Sequence, residues 1–418
     1  MVEEDVYTLV SPSNGAGPLW CYGCTQIVRV GEDVIVSQME TGEDVPLLCN
    51  TRWRLLRREA DGWQAFAEAE GYRQREPCPV GLTSENDLFL YVNDSLTEPG
   101  THYQDCEPHL LRFGLDAPTD APRKLSPQWS GTPYYTDHSY RGFGVDAERD
   151  ELLLLNIDAK TSVQHWAHLT AEGETLGNGG ITFPIRACYP QVALKNRSAH
   201  VMAIGDIVEP VDAWRTYKFE QTQRKWDYVF RILYYTYTPK IGEQGFSEPI
   251  EIANVDDSAG AISNQDLWIA PDGTAYVLYR EQEIQTAMMR DKFFPDKPDS
   301  ALRPSLLLAV VRNGEVVERR ALIAGTLELA PGHARFHEST DGTLYVVVNV
   351  SGSEAGNKLL QVYPKPDEGT LVSIPLKNAF GSFCVASVRA GCKPSDTLDI
   401  FGHTTSGTTL SYAQIRLK

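Results

Sequence analysis

The residues able to do chemistry fall in short clusters separated by apolar runs. The first is Asp137-His138-Ser139-Tyr140-Arg141, an imidazole with a carboxylate before it and a phenol and a guanidinium after it. Imidazole takes or gives a proton near neutrality, so His138 is a candidate general base or acid. The second is Arg186-Ala187-Cys188-Tyr189-Pro190, where Tyr189 is a candidate acid, or a base if its pKa is lowered. Arg141 and Arg186 carry the forked donors that hold a carboxylate or a sulfate. Each has a plainer alternative: a structural histidine, a core tyrosine with a satisfied hydroxyl, a salt bridge between elements.

Further groups of the same character are Trp20 with Tyr22, Asn264-Gln265-Asp266, Arg335-Phe336-His337 and Ser382. The segment 206–240 carries Trp214, Arg215, Tyr217, Arg224, Trp226, Arg231, Tyr234 and Tyr235. Aromatic faces stack on sugar rings and arginines bind anionic substituents. The alternation of Trp226, Tyr228 and Phe230, however, reads as the core face of two outer strands. His165 with His168, and His333 with His337, lack the convergent ligands a metal needs; no cofactor and no metal-binding residues are expected, with a structural metal ion as the alternative. Cys21 and Cys24 form a lone C-x-x-C with no second copy for a zinc ribbon, and the other six cysteines read as buried and unpaired. No G-x-S-x-G, Walker loop, H-E-x-x-H or G-x-G-x-x-G is present, and Ser339-Thr340-Asp341-Gly342-Thr343 continues into Leu344-Tyr345 without the tryptophan of a full Asp box.

The elements that must position these residues are strands. Runs such as 33–37, 88–92, 151–155 and 344–348 are short, apolar and bounded by turn residues, and no sustained helical period occurs. A hairpin unit recurs, clearest at 267–277 and 336–346 with Asp-Gly at the turn, and weaker at 142–152, 192–201, 27–36 and 80–91. Outer strand pairs follow, as at 305–311 and 315–317 around Asn313-Gly314. One four-stranded sheet per unit makes a propeller blade. The expected fold is therefore all-β: a seven-bladed β-propeller, with six blades as the alternative, forming one domain over 1–418. Three tail strands from 383 onward need a fourth, and 6–10 supplies it by pairing the N-terminal strand with the C-terminal blade. In such a fold, residues just before the innermost strands meet at one mouth of the axis, which gathers the clusters above.

Net charge is −18, from 56 acidic and 38 basic residues, which argues against nucleic acid while leaving a local arginine cluster free to bind an anionic sugar. No apolar stretch approaches the roughly 20 residues of a membrane helix. The start Met1-Val2-Glu3-Glu4-Asp5 has no signal-peptide pattern, so the protein is expected to be cytoplasmic, or secreted or periplasmic if a leader has been removed.

On these residues the chain resembles the seven-bladed BNR-repeat-like propellers that include ulvan lyases and related rhamnose–glucuronate-cleaving enzymes. The likeness lies in Asp137-His138 followed by Asp146, in Tyr189-Pro190-Gln191, in Asp272-Gly273 and Asp341-Gly342, and in the tail segments 383–386 and 394–399. It implies that His138 and Tyr189 do proton chemistry while an arginine neutralises a uronate. Two positions depart: a second histidine expected one hairpin after the first is Asp158, and the arginine expected at the end of the Tyr189 hairpin falls near Gly205-Asp206. Arg141, Arg186 or Arg231 would have to replace it.

The expected function is thus a polysaccharide lyase acting on a uronate-containing, ulvan-type polymer by β-elimination. His138, Tyr189 and Arg186 are its catalytic candidates, and Arg141, Tyr140, Asn264, Gln265, Arg231, His337 and Trp20 its substrate-binding ones. The partner is an anionic polysaccharide, with neither nucleic acid nor membrane, and the protein a monomer. The alternatives are a rhamnosidase-like glycoside hydrolase using carboxylates from Asp137, Asp158, Asp206 and Asp266, or a glycan-binding propeller without catalysis.

Overall fold

The computed structural model describes residues 1–418 apart from 21–23, 85–86, 102, 116–120, 365–369, 406 and 418. The local rule behind it is visible in the Asp-Gly hairpins. Asp272 Oδ1 accepts from Thr274 N at 2.9 Å while Gly273 takes φ +83, and Asp341 with Gly342 repeats this with Thr343 N at 2.9 Å and φ +80. The left-handed glycine lets two apolar strands fold back at once.

Seven four-stranded antiparallel sheets result among the described residues. Their innermost strands are, in order, Ile27–Val30, Val80–Leu82, Arg141–Asp146, Ala187–Lys195, Ala261–Ile269, Ala330–Glu338 and Phe380–Val385. The seventh blade is completed by Val2–Thr8, which pairs with Thr409–Arg416 and starts four residues earlier than its sequence pattern indicates. Each neighbouring pair of blades encloses its own apolar layer. Leu153, Leu155 and Trp166 of the third blade meet Val192, Val201 and Tyr234 of the fourth. Val34, Val36 and Leu56 of the first meet Phe401, Leu410 and Tyr412 of the seventh, so the ring is closed by packing as well as by pairing. The inner strands approach closely: a Cβ on Gly142 or Gly144 would lie 2.8 or 2.9 Å from a Val192 methyl.

Two segments cross the central channel. The stretch 9–20 that follows Val2–Thr8 passes over the mouth where inner strands begin, pinned by Asn14 Nδ2, which donates to Leu48 O, Asn50 Oδ1 and Arg75 O at 3.0–3.1 Å, and reaching Tyr189 by Trp20. The other is the loop after Phe380–Val385, which folds inward so that Arg389 O and Ala390 O accept from Val145 N and Leu82 N at 2.8 and 2.7 Å. Gly391 is required there, since a Cβ would lie 1.8 Å from Leu82 O and φ is +84.

The long segment of the fourth blade departs from its sequence reading. It is not two outer strands: it forms a helix, Asp212–Thr222, carried on the two-residue ladder Ile207–Val208 with Tyr228–Val229. Trp226 is 75% exposed and Tyr228 43%, so neither is core. The helix packs by Trp214 and Tyr217 on Phe293 and Phe294, around a second short helix, Ala287–Phe293, from the fifth blade.

Candidate active site

His138 stands on a locked turn. Ser139 N donates to Thr136 O and Thr136 N to Ser139 Oγ, both at 3.0 Å, just before the wholly buried strand Arg141–Asp146. The turn places His138 Nδ1 2.9 Å from Oδ2 of Asp137, whose side chain is sealed from solvent, while the imidazole remains 27% exposed. Its ring centroid lies 4.7 Å from that of Tyr103. Nδ1 faces this carboxylate without making a hydrogen bond, and Nε2 is the nitrogen on the side left for a substrate. A carboxylate, an imidazole and an open face make a proton-transfer dyad.

Tyr189 enters from the next blade by a different device. The ladder between Ala187–Lys195 and Ser198–Gly205 slips between Cys188 and Gln191, and Tyr189 adopts φ +52 in this bulge. A bulge re-aims one side chain without ending the strand. Asn264 fixes it, its Nδ2 donating to Tyr189 O at 2.9 Å. The Tyr189 ring lies 4.3 Å from Tyr140, 6.1 Å from Trp20 and 6.0 Å from Phe230. Burial, with the neighbouring phenol of Tyr140, pushes the Tyr189 hydroxyl far above the usual tyrosine range, and burial likewise raises Tyr140. Both phenols are therefore neutral, and Tyr189 can donate a proton but cannot serve as a standing phenolate base.

Arg186 joins this pair. Its guanidinium lies 5.7 Å over the Tyr140 ring, and Nη1 donates to the carbonyl of Asp206 at 3.1 Å and to its carboxylate. Ala187 is the ladder partner of Gly205, so Arg186 stands directly across from the hairpin end where the resemblance calls for an arginine. The same place is thus furnished from the opposite strand. Among the described residues Nε and Nη2 of Arg186 have no acceptor, leaving donors for an anion.

Other candidates stand elsewhere. Arg141 is 3% exposed, with Nη1 and Nη2 donating to Tyr91 O and Pro77 O at 2.9 and 3.0 Å, so its fork is occupied by protein. Arg231 is buried against both oxygens of Glu209 and over the Trp214 ring at 5.0 Å, anchoring the insertion. Gln265 knits blades together, its Oε1 accepting from Ala334 N at 2.9 Å. His337 is the eighth residue of the nine-residue strand Ala330–Glu338 and lies at the far end of the channel, against Ser395 O at 2.8 Å. Ser382 falls on its inner strand, and Tyr22 and Cys21 lie outside the described residues; the other seven cysteines are buried and free. Sequence reasoning missed Phe230 as a neighbour of Tyr189, and it missed the buried ion pair of Arg75 and Glu76 at 2.9 Å beneath the stretch 9–20.

Three of the four carboxylates proposed for hydrolysis are committed, while neither oxygen of Asp137 has a hydrogen-bond partner among the described residues. Asp158 caps a turn, accepting from the backbone of Tyr134, Lys160 and Thr161 at 2.7–2.8 Å. Asp266 takes Arg389 and the backbone of Phe336, Asp206 takes Arg186, and Asp137 faces His138. Among the described residues no three histidine, cysteine or carboxylate side chains gather as a metal would need.

A cavity of about 640 Å³ is at the opposite mouth, lined by Arg29, Lys195, Trp268, Glu338, Arg389 and Lys393 among others. Its volume does not make it the reactive centre, because its polar groups are largely paired: Arg29 with Asp399, Arg389 with Asp266, and Trp268 Nε1 with Glu338 at 2.6 Å.

No protein-family model matches the chain, and no curated protein matches it in sequence. Its fold is that of an ulvan lyase, described as a new family of polysaccharide lyase, solved bound to -[GlcA(1-4)Rha3S]-: TM-score 0.59 and 8% identity, covering 99% of this chain and 94% of that one. A second structure of an ulvan lyase gives TM-score 0.55 at 8% identity and the same coverage. A looser likeness, TM-score 0.46 at 11% identity over 100% of this chain and 99% of that one, is to an α-L-arabinanase of Penicillium chrysogenum. The seven-bladed propeller read from the sequence is the fold of the molecule.

Proposed function

We propose that the chain is a carbohydrate-active enzyme that cleaves a uronate-containing polysaccharide by β-elimination at the mouth holding His138 and Tyr189. One observation carries this reading: Tyr189 and Arg186 both pack on Tyr140, two residues along the chain from His138, whose half-buried imidazole faces a buried carboxylate. Arg186 would pair with the C6 carboxylate and so acidify the C5 proton. His138 Nε2 would take that proton, its electron pair would form the C4–C5 double bond, and the C4–O bond would break. Tyr189 would protonate the departing glycosidic oxygen and regain its proton through solvent or from His138.

The lyase reading is favoured over hydrolysis because Asp158, Asp206 and Asp266 are held by protein partners and the Asp137 side chain is sealed from solvent, so these four described carboxylates form no open pair. The ulvan-lyase fold supports a sugar polymer as the occupant of this face. Incubation with ulvan and other uronate polymers, followed by ultraviolet absorbance of the new double bond, tests the reaction. Release of reducing sugar without that absorbance would transfer the assignment to a hydrolase; binding without either would leave a glycan-binding propeller.

A further inference from the structure

The insertion of the fourth blade carries an aromatic ladder that the proposed reaction does not use. Trp226 is the most exposed aromatic side chain among the described residues, at 75%, and it stacks on Tyr228 with ring centroids 6.3 Å apart and planes at 29°. An exposed aromatic pair costs solvation and marks a contact surface. Val229, between Tyr228 and Phe230, is buried in the short ladder with Ile207. Side chains of an extended segment alternate, so Trp226, Tyr228 and Phe230 share one side. The inner end of that row touches Tyr189, where Phe230 lies at 6.0 Å. Four residues of extended chain span at most about 14 Å, which sets the distance from the rim to the candidate site at a few sugar units.

The platform is stiffly built. Glu209 N donates to Asp227 O at 2.8 Å, Lys218 bridges Glu209 and Asp227 at 2.7 and 2.6 Å, and Arg231 closes on Glu209 from below. Phe230 O accepts from Ile262 N at 2.8 Å, tying the inner end to the fifth blade. In contrast to these paired cations, the exposed side chains of Arg224 and Lys225, which immediately precede Trp226, have no ion-pair partner among the described residues. On a chain of net charge −18, two unpaired cations beside an exposed aromatic stack favour an anionic ligand.

We infer that Trp226 and Tyr228 form a sugar-stacking subsite for an anionic polysaccharide, with Arg224 and Lys225 matching its charged substituents and Phe230 leading the polymer to Tyr189. The inference rests on the proposed reading that a sugar polymer occupies this face. It makes the segment a determinant of polymer length preference: long chains reach the ladder and short oligosaccharides do not.

The test compares the wild type with Trp226→Ala/Tyr228→Ala and Arg224→Gln/Lys225→Gln, all at exposed positions. On ulvan, the aromatic double variant should raise KM roughly tenfold with kcat unchanged, and leave KM for a short ulvan oligosaccharide unchanged. The cationic double variant should flatten the salt dependence of KM. An unchanged KM on ulvan overturns the subsite, as does a variant whose only change is in sedimentation, since the patch is then a contact between copies. Ulvan-containing native gels separate this outcome from the fate of the lyase reading. If the wild type is retarded and the aromatic variant is not, the subsite stands even where no bond is broken. If wild type and variant migrate alike with and without ulvan, it falls.

Discussion

The two mouths of the channel differ in a way that cavity size hides. The far mouth is spacious, about 640 Å³, but Arg29, Arg389 and Trp268 are already satisfied by Asp399, Asp266 and Glu338. The entry mouth is crowded, with Tyr140 and Tyr189 each less than a tenth exposed and Trp20 set against them. Yet it holds a half-buried imidazole facing a buried carboxylate at 2.9 Å and the arginine with donors to spare. A closed ring of blades needs its axis filled, and the inward loop carrying Arg389 fills it with complete pairs. Reactivity needs incomplete ones. On the proposed reading, unsatisfied but oriented groups locate chemistry better than volume does.

The comparison breaks most directly at His138. His138→Ala should lower uronate-polymer cleavage about a thousandfold while leaving thermal unfolding unchanged, because a general base contributes roughly 10²–10⁴. Persistence of cleavage would remove the entry mouth from the mechanism. Arg389→Ala gives the converse result: it strands the buried Asp266 carboxylate, and should destabilise by about 3–5 kcal/mol in chemical denaturation. The surviving folded fraction should keep its turnover. Tyr189→Phe should cost on the order of a hundredfold in kcat with little change in stability, since the ring contacts with Tyr140 and Phe230 remain. A mere core tyrosine would show the opposite pattern.

The smallest effect concerns the rim. Burial alone would raise the Glu209 carboxyl, but its hydrogen bonds from Arg231 and Lys218 hold it below the ordinary value of 4.5. A depressed carboxyl stabilises above its unfolded pKa and loses that contribution as pH falls through the folded value. Amide exchange in the helix Asp212–Thr222 should therefore accelerate below about pH 4, ahead of global unfolding. Glu209→Gln should abolish that acid-dependent step.

The blades were legible because their signals are local. Asp272-Gly273 and Asp341-Gly342 announce hairpins by turn chemistry, and the runs between them alternate or are wholly apolar. The mouth was partly legible: strand entries pointed to His138, Tyr189 and Arg186, of which Tyr189 and Arg186 meet on Tyr140 while His138 packs on Tyr103. His337 was misplaced because its unit was aligned by the Asp-Gly turn, which sits at the opposite end of a nine-residue strand. Arg141 stands at a strand entry, but position along a strand does not say which way an arginine's donors turn, and here they meet Tyr91 and Pro77. The period-two pattern of Trp226, Tyr228 and Phe230 was real. Sequence could not tell that only its inner end is covered, because the burying partners of Val229 and Phe230 are Ile207, Tyr189 and the fifth blade.

Bond cleavage is proposed to belong to the entry mouth. It is tested most directly by following C4–C5 double-bond absorbance on ulvan for the wild type, His138→Ala and Lys393→Ala, the last altering an exposed cation at the far mouth. The prediction is steady absorbance growth for the wild type and Lys393→Ala, and none above background for His138→Ala. Growth that survives His138→Ala and disappears with Lys393→Ala would contradict the account.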